Sequence, residues 1–140
     1  MKKTFALLTL FLSLLIVSCE EENDQIITPN IIFENLGNEN FIIGDDINIS
    51  ILVNHEEVLD NVKYYEIFNC SDDNFDSLNL LEWENLYELE WSYEKTIQTN
   101  YLPEDIICTC TIQVEATDLN NIMSQTEILL NISNWFAVIN

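Results

Sequence analysis

The sequence predicts an all-β chain folded as an antiparallel β-sandwich of six to seven strands. Three observations predict it. Ile47, Ile49, Ile51 and Val53 alternate with Asn48, Ser50, Leu52 and Asn54, the period of two that marks a strand with one buried face. Further short runs rich in Val, Ile, Tyr and Phe are separated by Gly, Asn and Asp turn signals, the pattern of a sandwich rather than of alternating strands and helices. No long segment carries its apolar residues at a helical period.

Before the domain come residues 1–18. Lys2 and Lys3 precede an uncharged run, Thr4 to Ser18, dominated by Leu, Phe, Ile and Val. A positive start and a short apolar stretch form a secretory signal, and the run is shorter than the roughly 20 residues a spanning helix needs. Its end, Ile16-Val17-Ser18-Cys19, resembles the lipobox of bacterial lipoproteins, with Ile16 where Leu is commonest. The resemblance implies that Cys19 is acylated and becomes the mature N-terminus, held in the lipid bilayer by its acyl chains. Residues 19–29 then form a tether, of which Glu20-Glu21-Glu22-Asn23-Asp24 is strongly acidic. This run is similar to the acidic export signal of surface-displayed lipoproteins of the Bacteroidetes type. It implies an outer-membrane lipoprotein exposed at the surface, the periplasm-facing side being the alternative.

The folded domain is expected over residues 30–140. Ile31-Ile32-Phe33 and Phe41-Ile42-Ile43 are short apolar runs, and Gly44-Asp45-Asp46 is a turn signal ahead of the Ile47–Val53 strand. His55-Glu56-Glu57 begins a polar connection, and Val62 to Phe68 is the next strand. Ser71 to Ser77 reads as a loop and Leu78 to Leu86 as a short helix. Alternation returns at Tyr87, Leu89, Trp91 and Tyr93. Ile106 to Ala116 is a strand with Cys108, Cys110, Ile112, Val114 and Ala116 on one face, Asp118 to Asn121 is a turn, and Thr126 to Ile132 is the last strand.

Gly44-Asp45-Asp46-Ile47-Asn48-Ile49 with Leu59-Asp60-Asn61-Val62 resembles the second- and third-strand region of bacterial Ig-like domains. Val114-Glu115-Ala116-Thr117-Asp118-Leu119-Asn120-Asn121 resembles their V-x-A-x-D-x-x-G-N hairpin, partly shared by cadherin-like domains, with Asn120 where Gly is usual. The resemblance implies an Ig-like sandwich over roughly Pro29 to Ser133. It transfers no catalytic residue.

Composition narrows function by exclusion. The chain has 25 acidic residues, four Lys and no Arg, for a formal net charge of −21. Such a surface does not bind nucleic acid. His55 is the only histidine, and His55-Glu56-Glu57 lacks the second His of a zinc-protease helix. With two glycines in the chain there is no phosphate-cradling loop and no Gly-x-Ser-x-Gly. The expectation is therefore a non-catalytic interaction or structural module with no cofactor. Its partner, protein or glycan, is not named by the sequence.

Four sets of residues stand as candidate sites. Asp72, Asp73, Asn74 and Asp76 begin with the ligand spacing of a calcium loop, but Ser77 and Trp83 stand where that loop needs Gly and Glu, so only an irregular Ca²⁺ site is open to them. Trp83, Tyr87, Trp91 and Tyr93 lie in an acidic segment and offer either a glycan platform or one wall of the core. Asp76-Ser77-Leu78 resembles the short O-glycosylation motif of Bacteroidetes secreted proteins, with Ser77 as acceptor. Finally, Cys108 and Cys110 sit two apart on one strand face, nearly 7 Å from each other and so too far to pair. One bridge is expected from Cys70 to either, with Cys110 favoured as the residue deeper in its strand.

Overall fold

The computed structural model describes residues 26–37 and 39–134. The signal run, Cys19 and the acidic stretch after it lie outside these residues. The described chain is all-β: β1 (Asn30–Phe33), β2 (Asn40–Phe41), β3 (Asp46–Cys70), β4 (Ser77–Gln98), β5 (Ile107–Asp118) and β6 (Met123–Ser133). One 3₁₀ turn, Asp73–Phe75, joins β3 to β4. Among the described residues no helix is long and apolar enough to cross a membrane.

The frame is the β3–β4 hairpin. The two strands expected at Ile47–Val53 and Val62–Phe68 are one continuous strand of 25 residues. The polar residues between them stay extended, because β4 accompanies β3 along both halves. On its other side β3 changes neighbours: Ile51 to Asn54 pair with β1, and Leu59 to Cys70 pair with β5. The ladder slips between Asn54 and Leu59 and again before Asn61. Opposite that slip, Asn85 and Tyr87 take left-handed backbone angles, φ 55° and 54°. Bulges of this kind bend a strand and let it pass from one layer to the next.

The bend folds the sheet onto itself. Lys95 lies opposite Ile49 in the ladder, whereas Glu66 lies in the far half of β3. A straight strand would separate the two by roughly 55 Å at about 3.3 Å per residue, yet Lys95 Nζ donates to Glu66 Oε2. Trp83 and Trp91, from the two halves of β4, likewise meet with ring centroids 4.8 Å apart. Between the layers lie Ile47, Ile49, Ile51 and Val53 from β3 and Ile112, Val114 and Ala116 from β5, all fully or almost fully buried, as their alternation requires.

Two further expectations are corrected. Leu78 to Leu86 is not a helix: it is the first half of β4, paired residue for residue with Asn61 to Ile67, so cross-strand pairing overrides the helix preference of Leu and Glu. The sheet is not wholly antiparallel, because β2 runs parallel to β6 through Asn40–Asn131 and Phe41–Ile132. In the turn after β5, expected over Asp118 to Asn121, the left-handed residue is Asn121, φ 63°. Asp118 builds that turn, its Oδ1 accepting from the backbone N–H of Asn120 and of Ile122, each at 2.8 Å.

Candidate functional site

Two carboxylates of the acidic loop each use one oxygen on a local donor. Asp72 Oδ1 accepts from the backbone N–H of Asn74 at 3.0 Å and from its side-chain amide at 2.7 Å, capping the 3₁₀ turn. Asp76 Oδ1 accepts from Cys70 N at 2.7 Å. The carboxylates of Asp72, Asp73 and Asp76 do not converge. Ser77 is exposed at the first position of β4.

A disulfide closes the loop's base. Cys70 is bonded to Cys108, with Cα atoms 4.0 Å apart, and Cys110 is a free, buried thiol. The preference for Cys110 is thus corrected. Register decides it: Cys70 lies directly opposite Cys108, while Cys110 lies opposite Phe68. Ser71 N donates to Ile107 O, which makes Cys70–Cys108 a non-hydrogen-bonded pair, the closer of the two pair types. Burial, and then the nearby Glu66 carboxylate, push the Cys110 thiol up to about 12, leaving it no nucleophile at neutral pH.

The aromatic residues divide. Trp83, Trp91 and Tyr93 form one cluster, with centroids 4.8 to 5.8 Å apart, and Tyr64 packs on Tyr93 at 5.3 Å. Trp91 is 7% exposed. Tyr87, 64% exposed, stands apart, its hydroxyl donating to Asn85 Oδ1. Trp83 and Tyr93 are half-buried, and their rings lie against each other and against Trp91.

Two polar groupings escaped the sequence reading. The first is a network between the layers: Glu66, 4% exposed, accepts from Tyr64 Oη at 3.0 Å, from Asn79 Nδ2 at 3.2 Å and from Lys95 Nζ. Burial, then Glu66, hold the Tyr64 phenol far above its ordinary range. The second joins the bend to the end of β5. His55 Nε2 lies 3.2 Å from Asp118 Oδ2, both side chains are buried, and Glu57 brings a third ligand atom, a carboxylate oxygen, within 4.8 Å of both. Burial alone would raise the Asp118 pKa, but the Ile122 N–H, His55 and the Asn120 N–H outweigh it and hold the carboxyl below its usual range. Such a donor set suits a divalent ion, yet Asp118 already holds the turn with its other oxygen. The alternation in β5 could have placed Asp118 inward; nothing in the sequence pairs it with His55.

The remaining feature is an edge. Ser71 bonds β5, so odd-numbered residues in the second half of β3 face β5 and even-numbered ones face β4. Carried through the register, Ser77, Asn79, Leu81 and Trp83 bond β3, while Leu78, Leu80, Glu82 and Glu84 turn their backbone N–H and C=O outward. Among the described residues no strand pairs that side of β4. Leu78 and Leu80 are exposed there, followed by the exposed carboxylates of Glu82, Glu84, Glu88, Glu90 and Glu94. One open surface cleft of about 390 Å³ is lined by Asn48, Ser50, Glu94, Lys95 and Thr96 among others, and there the Ser50 hydroxyl donates to Glu34 Oε2 at 2.9 Å.

No family model and no curated protein matches the chain. Among solved structures it is similar to the periplasmic chaperone SfaE, at 13% identity and a TM-score of 0.45, over 79% of this chain and 60% of that one. It is also similar to Spo0M, a sporulation control protein from Bacillus subtilis, at 8% identity and a TM-score of 0.40, over 76% of this chain and 49% of that one. Likeness at this level carries no argument about activity or partner.

Proposed function

We propose that the chain is a non-catalytic interaction module, anchored in the outer membrane by acylated Cys19 and displayed at the cell surface. The observation that carries the interaction reading is the open edge of β4, a strand of 22 residues that is paired on one side only among the described residues. Unpaired backbone on a long edge is a template for another chain. Among the histidine and cysteines, His55 Nε2 lies against Asp118, the Cys110 thiol is buried in the core, and Cys70 and Cys108 are bonded to each other. The anchor reading rests on the Ile16–Cys19 motif and the acidic run after it.

Two arms test it in cells. Cys19→Ala moves the protein out of the membrane fraction or leaves an uncleaved precursor; unchanged partitioning with the signal still removed refutes the anchor. A photo-crosslinking residue at Leu80 traps a discrete partner that the same residue at Gln125, exposed on β6, does not. Equal or absent crosslinking at the two positions refutes the interaction reading.

A further inference from the structure

Building on the interaction reading, we propose that the β4 edge takes an extended, basic segment of another protein as an added antiparallel strand. Its chemistry is set by what the edge presents.

Backbone geometry fixes the mode. Leu78, Leu80, Glu82 and Glu84 aim N–H and C=O groups at solvent in the ladder spacing, and a strand alongside them satisfies both sets. Side chains fix the sequence class. These four residues share the outer face of the sheet, because their ladder partners Ile67, Tyr65, Lys63 and Asn61 alternate with the buried Phe68, Glu66, Tyr64 and Val62. In register, Leu78, Ile67, Thr111 and Leu129 form one row across that face. A strand added beside β4 extends this row, and the row through Leu80, with apolar side chains. Beside Glu82 and Glu84 it meets carboxylates. Read antiparallel to β4, the complementary strand carries basic, basic, apolar, apolar residues at alternate positions.

Charge selects the occupant. Glu84, Glu88, Glu90 and Glu94 make no ion pair among the described residues; Glu82 pairs with Lys63 at 3.0 Å, and Lys95 turns inward to Glu66. The whole chain carries −21. A second copy brings the same charge to the same edge and is repelled, whereas a Lys- or Arg-bearing strand is drawn in.

The test uses the detergent-purified full chain and a labelled heptapeptide, Lys-Thr-Lys-Thr-Leu-Thr-Leu with blocked ends, read by fluorescence anisotropy at low salt. Binding is expected, weakening by roughly tenfold when alternate peptide amides are N-methylated, since that removes the ladder. Leu80→Pro weakens it by a similar factor. The Leu80 N–H points away from β3, so proline there spares the hairpin, which near-ultraviolet circular dichroism checks. Glu84→Lys with Glu88→Lys, both at exposed positions, weakens it further and reduces its salt dependence. Absence of binding overturns the proposal. So does equal binding of the N-methylated peptide, or of one with Glu for Lys, and so does self-association of the chain that Leu80→Pro abolishes. A peptide that fails while Leu80 still crosslinks a partner in cells refutes the strand-addition chemistry and leaves the interaction reading standing.

Discussion

Lys95→Met is the sharpest probe of how the bent hairpin is held. Among the described residues the ammonium is the one cation paired with Glu66, whose side chain is 6% exposed. Without it the carboxylate keeps only Tyr64 Oη and Asn79 Nδ2 as donors, both neutral. Leaving one member of a buried pair uncompensated costs about 3–5 kcal/mol; the Lys95 side chain is itself 27% exposed, so water can partly enter its place and the lower end applies. A loss of about 3 kcal/mol with a urea m-value near 1.5 kcal/mol/M lowers the midpoint by about 2 M. Glu66→Leu combined with Lys95→Met removes both charges and restores most of that loss, since replacing a buried pair by apolar residues is often neutral. The assay is urea unfolding of the chain from Glu20 onward, followed by tryptophan fluorescence, because Trp83 and Trp91 report on the bend. A loss below about 1 kcal/mol for Lys95→Met, as for a surface ion pair, refutes the reasoning. So does a double variant as unstable as the sum of the two single ones.

Two more outcomes follow from the geometry. With Cys19 replaced, the denatured but unreduced chain shows one free thiol; reducing the Cys70–Cys108 bridge, which spans 38 residues, costs about 4 kcal/mol in the chain-entropy model, and three free thiols would contradict the pairing. Asp118 has a folded pKa below its ordinary value, so its contribution is present above pH 5 and is lost as pH falls through the folded pKa. Asp118→Asn therefore lowers stability at pH 7 by about 2 kcal/mol and flattens the acid limb of a stability–pH profile; a variant with an unchanged acid limb would show that the carboxylate is not the group titrating there.

The inward faces were legible because one side chain in two had to be apolar. Ile47 to Val53 and Cys108 to Ala116 announce their burial by period alone, and the structure buries them. Length was not legible. Periodicity marks where a face is buried, and between Asn54 and Leu59 the strand passes from one layer to the other, so the pattern breaks while the backbone stays extended. Leu78 to Leu86 misled for a related reason: an edge strand exposed on both faces has no alternation to read, and Leu and Glu are then free to look helical. The candidate sites divided along the same line. Spacing could bring Asp72, Asn74 and Asp76 near one another, yet it could not show that Asp72 and Asp76 were already used by neighbouring amides. The contacts of Glu66 with Lys95 and of His55 with Asp118 join residues far apart in sequence, and only the bend brings them together.

That bend also bears on why the first half of β4 exists. Ser77 to Glu82 are all exposed, and the segment reaches inward chiefly through Trp83 and the amide of Asn79. Closing the sandwich needs the second half of β4, where Trp91 and Ile97 are buried and Lys95 meets Glu66. An edge that contributes little burial is also one that invites unwanted pairing, and β4 carries the carboxylates that discourage it. Shortening would remove that hazard more simply than charging it. A long edge with added charge fits the proposed basic strand, which its carboxylates would attract while repelling a second copy.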